Sequence, residues 1–170
     1  MNLYELIFGK QESFDENNDA PTYDSPLLRR DFSTAIPMLR VAIAKEDARA
    51  MGAYGALCAS GHGVEKDMEE AYCWLLQAAN RGDVPSQLAL GMLLAGDVGV
   101  PTNRTEAAYW LYRASWAGNW RAIKALEALT EKDRSVVGRY FSEEELNRLL
   151  YSAMKNHLST PSRTTTQERN

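Results

Sequence analysis

Across residues 47–120 apolar and small positions recur at helical spacing, glycine-rich turns interrupt them, and the whole pattern is written twice. Ala50, Met51, Tyr54, Leu57 and Cys58 lie three and four apart, on one side of a helix predicted over 47–60. The run Ser60-Gly61-His62-Gly63 stops it, because glycine turns the chain out of a helix at little steric cost. Val64 plugs the turn. Asp67 is placed to accept a bond from a free amide at the start of the next helix, over 68–81, which Gly82 ends. Shifted by 36 residues, Gly55 returns as Gly91, Gly63 as Gly99, Val64 as Val100, Ala71 as Ala107, Trp74 as Trp110, Ala78 as Ala114 and Gly82 as Gly118. The second copy opens at Asp83 or Ser86, closes its first helix at Gly96 and Gly99, and runs its second over 104–117 behind the cap Asn103. A fixed period of this length marks a solenoid of stacked helix–turn–helix units.

Gly55 and Gly91 sit mid-helix, where glycine costs about 1 kcal/mol against alanine. Close approach of the second helix of each unit accounts for them, with Ala71, Ala78, Ala107 and Ala114 as the small residues opposite. Trp74 and Trp110 then fill the space between neighbouring pairs. As buried wedges they are part of the stack, not a ligand platform.

The flanks extend the same pattern. Residues 3–8 are an apolar run broken by Glu5, expected as a short helix packing on the body or folding back into a groove of the stack. Its acidic polar side disfavours a membrane surface. Residues 11–26 are polar, acidic and punctuated by Pro21 and Pro26, a solvated tether or a docking strip for a basic partner. Asp31 or Ser33 caps a helix to about residue 45, with Pro37 in its first turn if Ser33 is the cap. Subtracting the period places Ala35 under Ala71, Leu39 under Leu75 and Ala42 under Ala78, so this helix is a half-repeat closing the stack at its N-terminal end. After Gly118, Trp120, Ala122, Ile123, Leu126 and Leu129 make a third first-helix, with Glu127 where the glycine should be. Ser142 and Glu145 form a capping box for a last helix, under which Trp116 and Trp120 are expected to pack. Residues 1–30 are thus an N-terminal segment and 31–158 the repeat domain, divided at 47–82, 83–118 and a degenerate 119–158. Residues 159–170 are a disordered tail.

Composition narrows the chemistry. A net charge of −4 with no cluster of lysine and arginine argues against nucleic acid. No stretch approaches the roughly 20 apolar residues of a membrane span, and no basic leader precedes an export signal, so the expected location is cytoplasmic. Cys58 and Cys73 are the two thiols, expected as buried and free, too few for a four-cysteine metal site. His62, on a turn between two glycines and expected to be exposed, has no second histidine near it, and His157 lies elsewhere. No nucleophile elbow, phosphate loop or carboxylate pair with an evident reason to be buried appears, so no catalytic, cofactor-binding or metal residues are assigned and an enzyme is a remote alternative.

Taken together, Ala50, Gly55, Gly61, Gly63, Val64, Asp67, Ala71, Trp74, Ala78, Ala79 and Gly82 resemble a Sel-one-like repeat, the tetratricopeptide-related α/α repeat. The second unit keeps Leu90, Gly91, Gly99, Val100, Ala107, Trp110, Ala114 and Gly118, and departs mildly at Ser86, Asp97, Asn103 and Ser115. The resemblance implies an all-α fold, a short right-handed α/α superhelix with helical caps, whose first helices (A) line a concave face. It also implies a protein-interaction scaffold: bacterial members include adaptors, regulators and antidotes that neutralise a toxin. By offset, the outward positions of helix A are Arg49, Gly52, Ala56 and Ala59, then Pro85, Leu88, Met92 and Ala95, then Arg121, Lys124 and Ala128. Arg49, Leu88, Met92, Arg121, Lys124 and Ala128 are the candidate partner-binding residues. An apolar centre with a basic end suits an amphipathic or acidic peptide of another protein, and self-association is a further possibility.

Overall fold

The computed structural model describes residues 23–96, 101–132, 142 and 144 of the 170. Seven helices and no strand occur among them: α1 (Asp24–Leu28), α2 (Phe32–Ala44), α3 (Ala48–Ser60), α4 (Met68–Asn80), α5 (Val84–Ala95), α6 (Arg104–Trp116) and α7 (Trp120–Lys132). Consecutive helices pack on each other throughout, giving an α/α solenoid in which α3 and α4 form one unit and α5 and α6 the next. The expected segments at 1–22, the turn at Gly99 and Val100, the last helix and the tail lie outside the described residues.

The helix starts repeat more strictly than the hydrophobic pattern does. Asp31, Asp67 and Asn103, each 36 residues on, cap α2, α4 and α6. Asp47, Asp83 and Asn119 do the same for α3, α5 and α7. Each side-chain oxygen accepts from amides that have no partner within the helix. Asp67 takes Glu69 and Glu70 N–H at 2.9 Å, Asp83 takes Ser86 N–H at 2.9 Å, and Asn119 takes Arg121 and Ala122 N–H at 3.1 and 3.3 Å. Asp31, not Ser33, is the cap of α2, and the Ser33 hydroxyl donates back to it at 2.6 Å. Pro37 consequently falls in the second turn, where its missing N–H leaves the carbonyl of exposed Ser33 to water.

The stops repeat as well. Gly61 ends α3 at φ +74°, and Gly82 and Gly118 follow α4 and α6 at φ +93° and +79°. Glu46, one period before Gly82, holds the same left-handed conformation at φ +62°, where a side chain is disfavoured. Gly96 also stops its helix, but in an extended conformation.

Close helix approach explains the mid-helix glycines. A Cβ on Gly55 would lie 3.1 Å from Leu75 Cγ and 3.2 Å from Ala71 O. On Gly91 it would lie 2.7 Å from Leu111 Cγ and 3.1 Å from Leu111 N. Two clusters of buried side chains result. One joins α1–α4 through Leu27, Ala35, Leu39, Tyr54 and Leu57, and the other joins α4–α7 through Leu75, Leu90, Trp110, Leu111 and Leu126. The half-repeat α2 contributes Ala35 and Leu39 at full burial, as the shifted register requires. Residues 24–28, expected as the end of a polar tether, instead form α1, anchored by fully buried Leu27.

Candidate interaction surface

Three first-helices, α3, α5 and α7, contact one another in sequence along the stack. Their composition differs sharply. In α3, every residue from Ala50 to Ala59 is buried, including Gly52, Ala56 and Ala59, which had been expected to point outward. A helix apolar all the way round is a buried helix, and α3 carries one charged residue, Arg49. α5 carries none. Leu88 is 1% exposed and belongs to the core, so the expected apolar centre of a groove is not presented there. Met92 and Ala95 are half-buried and pack against the same core.

Arg49 is exposed but is engaged at the other end of the stack. Its guanidinium reaches Asp24 at 3.1 Å, while the Tyr23 hydroxyl donates to Asp47 at 3.0 Å. Together they clasp α1 onto the start of α3. Burial, and then the bond to Asp47, holds the Tyr23 hydroxyl far above its ordinary pKa.

α7 is the amphipathic member. Ala122, Ile123, Leu126 and Leu129 face the core, while Lys124, Glu127 and Ala128 are exposed and Arg121 is half-buried. Trp116, at the end of α6, is 68% exposed and Trp120, at the start of α7, is 46% exposed. The last helix, under which the sequence suggested they pack, lies outside the described residues. The Arg121 guanidinium and Lys124 ammonium stand 5.6 and 5.3 Å from the Trp120 ring centre, close enough for cation–π attraction. Tyr112 meets Trp116 edge-on at 5.9 Å, and Arg113 lies over both Tyr109 and Trp110. Among the described residues Arg113, Arg121 and Lys124 have no carboxylate in an ion pair, and between Glu106 and Glu127 the chain contains no acid. The structure thus brings Arg121, Lys124 and Ala128 together at one end, with Met92 on the neighbouring helix, and leaves Arg49 and Leu88 apart from them. A visible signal was available in the charged, amphipathic sequence of α7 against the uncharged α5.

Elsewhere the polar groups serve the stack. Glu106 accepts from Tyr72 OH at 3.3 Å, from Trp110 Nε1 at 3.4 Å and from Asn103 Nδ2 at 3.2 Å, tying α4 to α6. Glu70 repeats the tryptophan bond in the first unit, accepting Trp74 Nε1 at 3.1 Å. Cys58 is buried, and desolvation with the nearby Glu70 charge pushes its thiol up to about 12. Cys73, expected to be buried too, is exposed on α4. His62 is half-buried instead of exposed, its ring stacked on Phe32 at 5.4 Å. Among the described residues no cluster of His, Cys, Asp and Glu could hold a metal ion, and no helix is long and apolar enough to cross a membrane.

The family model of the Sel1 repeat matches residues 48–83 and 84–119, so the chain carries two Sel1 repeats. The crystal structure of a Sel1 repeat protein from Oxalobacter formigenes matches it with a TM-score of 0.67 and 25% sequence identity over 78% of this chain. The chain spans about half, 52%, of that protein's length. No curated protein matches it. Sel1 repeats generally mediate protein–protein interaction, and they are scaffolds more than enzymes.

Proposed function

We propose that this two-repeat chain is a protein-binding module, a cytoplasmic adaptor or regulator, that takes its partner on the α7 end of its helix-A face, through Met92, Arg121, Lys124 and Ala128. The observation that carries this reading is the contrast among the three A helices. α3 and α5 spend their surfaces on the core, with Arg49 of α3 paired to Asp24, and α7 offers Lys124 and Arg121 beside half-buried Met92 of α5. Packing that is complete within the repeats leaves side chains of this kind for recognition.

The test is affinity capture from host lysate with wild-type protein beside a Met92→Asp, Lys124→Glu double variant shown by circular dichroism to fold. A stoichiometric partner retained by wild type and lost by the variant is the expected result. Equal capture by both, or none by wild type, overturns the reading.

A further inference from the structure

Going beyond that module, and resting on its partner site, we infer that the chain carries its own competitor. The acidic stretch at residues 12–19 docks on Arg121 and Lys124 at the α7 end of the helix-A face, where a partner has to displace it. The net charge of −4 is not spread along the chain. Glu5, Glu12, Asp15, Glu16 and Asp19 against Lys10 place all of it in the first 22 residues, and the 18 acids and 18 bases that remain cancel. Two of those bases are set to receive it. Arg121 and Lys124, three apart on one side of α7, stand 5.6 and 5.3 Å from the Trp120 ring centre, and neither is in an ion pair among the described residues. Between Glu106 and Glu127 the chain has no acid to neutralise them. A carboxylate arriving there gains a charge-assisted bond without first breaking one.

The fold delivers the stretch to that end. Residues 1–22 lie outside the described residues, but the point at which they join the stack is fixed. The Tyr23 hydroxyl donates to Asp47, and Asp24 pairs with Arg49, both at the start of α3. The start of α5 adjoins it, since a Cβ on Gly52 would meet Ser86 Oγ and lie 3.0 Å from Asp83 Oδ2. α7 packs on α5, and Asn119, one period after Asp83, caps it at the same end. Two helix spacings, about 20 Å, thus separate Tyr23 from the first turn of α7. Glu16 lies seven residues and Glu12 eleven residues before Tyr23. Extended, these reach up to about 24 and 38 Å. The carboxylates are tethered within range, at an effective concentration on the order of 1 mM. That tether makes up for the weakness of exposed ion pairs. Other cations suit the stretch less well. Arg29 and Arg30 adjoin Asp31, Lys45 adjoins Glu46, and Arg40 is five residues from Lys45, on a different side of α2.

The test places a nitroxide on Ser13→Cys in an isotope-labelled full chain that also carries Cys73→Ser, Cys58 being buried, and reads line broadening of backbone amides. At low salt the Arg121 and Lys124 amides should broaden, and that of Gln77, exposed on α4, should not. The broadening should fall away at about 1 M salt and in a chain with Arg121→Gln and Lys124→Gln. No broadening in α7, broadening centred on Arg40 or Lys45 instead, or broadening indifferent to salt and to the α7 substitutions overturns the inference. So does broadening of an isotope-labelled chain without nitroxide when it is mixed with a nitroxide-carrying one, which makes a second copy the occupant. In the lysate capture, a Glu12→Gln, Asp15→Asn, Glu16→Gln variant should retain about twofold more partner than wild type, since a site occupied half the time halves the apparent affinity. Equal retention by both leaves the module standing and overturns the competition. No partner for either chain removes the module, and the broadening then decides the docking alone.

Discussion

Trp74 and Trp110 occupy the same position in successive repeats, yet Trp110 is 3% exposed and Trp74 remains half-buried. Both donate to the glutamate four residues before them, Glu70 and Glu106. The difference lies in the neighbours. Trp110 is covered edge-on by Tyr109 at 5.0 Å and from above by Arg113 at 5.6 Å. One period earlier those positions are Cys73 and Gln77, both exposed, and Trp74 is left with an edge contact to Tyr54 at 5.6 Å. A repeat letter therefore fixes where a side chain points, and the residues around it decide how much water it loses.

The largest test of that contrast is removal of each ring. Trp110→Ala should cost about 3–5 kcal/mol and Trp74→Ala about 2 kcal/mol, read as denaturant midpoints at constant m value. Equal losses would mean that burial does not separate the two units. Next come the glycines facing the second helix of each unit. Gly91→Ala forces Leu111 aside in a filled core and should cost about 1–3 kcal/mol. Gly55→Ala, tight but without the same overlap, should cost about 1 kcal/mol less, part of it offset by the helix propensity of alanine.

Two variants should move stability upward. Glu46→Gly puts the half-repeat in step with Gly82 and Gly118 by relieving a left-handed side chain. A gain of about 0.5–1 kcal/mol is expected once the larger unfolded-state entropy of glycine is subtracted. Cys73→Tyr with Gln77→Arg gives Trp74 the cover that Trp110 has. The pair should add about 0.5–1 kcal/mol and shift the Trp74 emission to the blue. The smallest effect concerns pH. Burial raises the Asp83 carboxyl above its ordinary value, the bonds from Ser86 opposing. Its folded form therefore favours the proton, so the stability it contributes is present below pH 3.8 and lost as pH rises through the raised value. Asp83→Asn keeps an acceptor for Ser86 and should remove that slope from acid titrations of the unfolding midpoint.

The sequence made the stack legible because its constraints are backbone constraints. Gly55, Gly91 and the capping residues Asp67 and Asn103 answer to steric contact and to free amides, which one side chain can satisfy. The same period marks Asp47 and Asn119 as caps as well. Surface assignments failed where they rested on offset alone. Leu88, Gly52 and Ala56 occupy positions that face outward in an amphipathic helix, but α3 and α5 have too few polar residues to support a wet side. Trp116 and Trp120 are exposed, and the helix expected to cover them lies outside the described residues. Their size suggested burial, while Arg121 and Lys124 beside Trp120 indicated an exposed setting, since a lysine or arginine head stays in water.

Gln87, a buried residue of α5, donates its side-chain amide to Ala79 O at the end of α4 at 3.1 Å. One period later its position is Ile123, which has no donor to offer to Ser115. In the language of one-dimensional arrays, the nearest-neighbour coupling between the first and second units includes a polar tie that the coupling between the second and third lacks. Opening should then begin at α7 and halt at α6, so that amide exchange is fast in α7 and shares one slow, common rate across α3–α6. The helix that presents the recognition surface is the one joined to its neighbour without this tie, and a partner bound there would slow its exchange first.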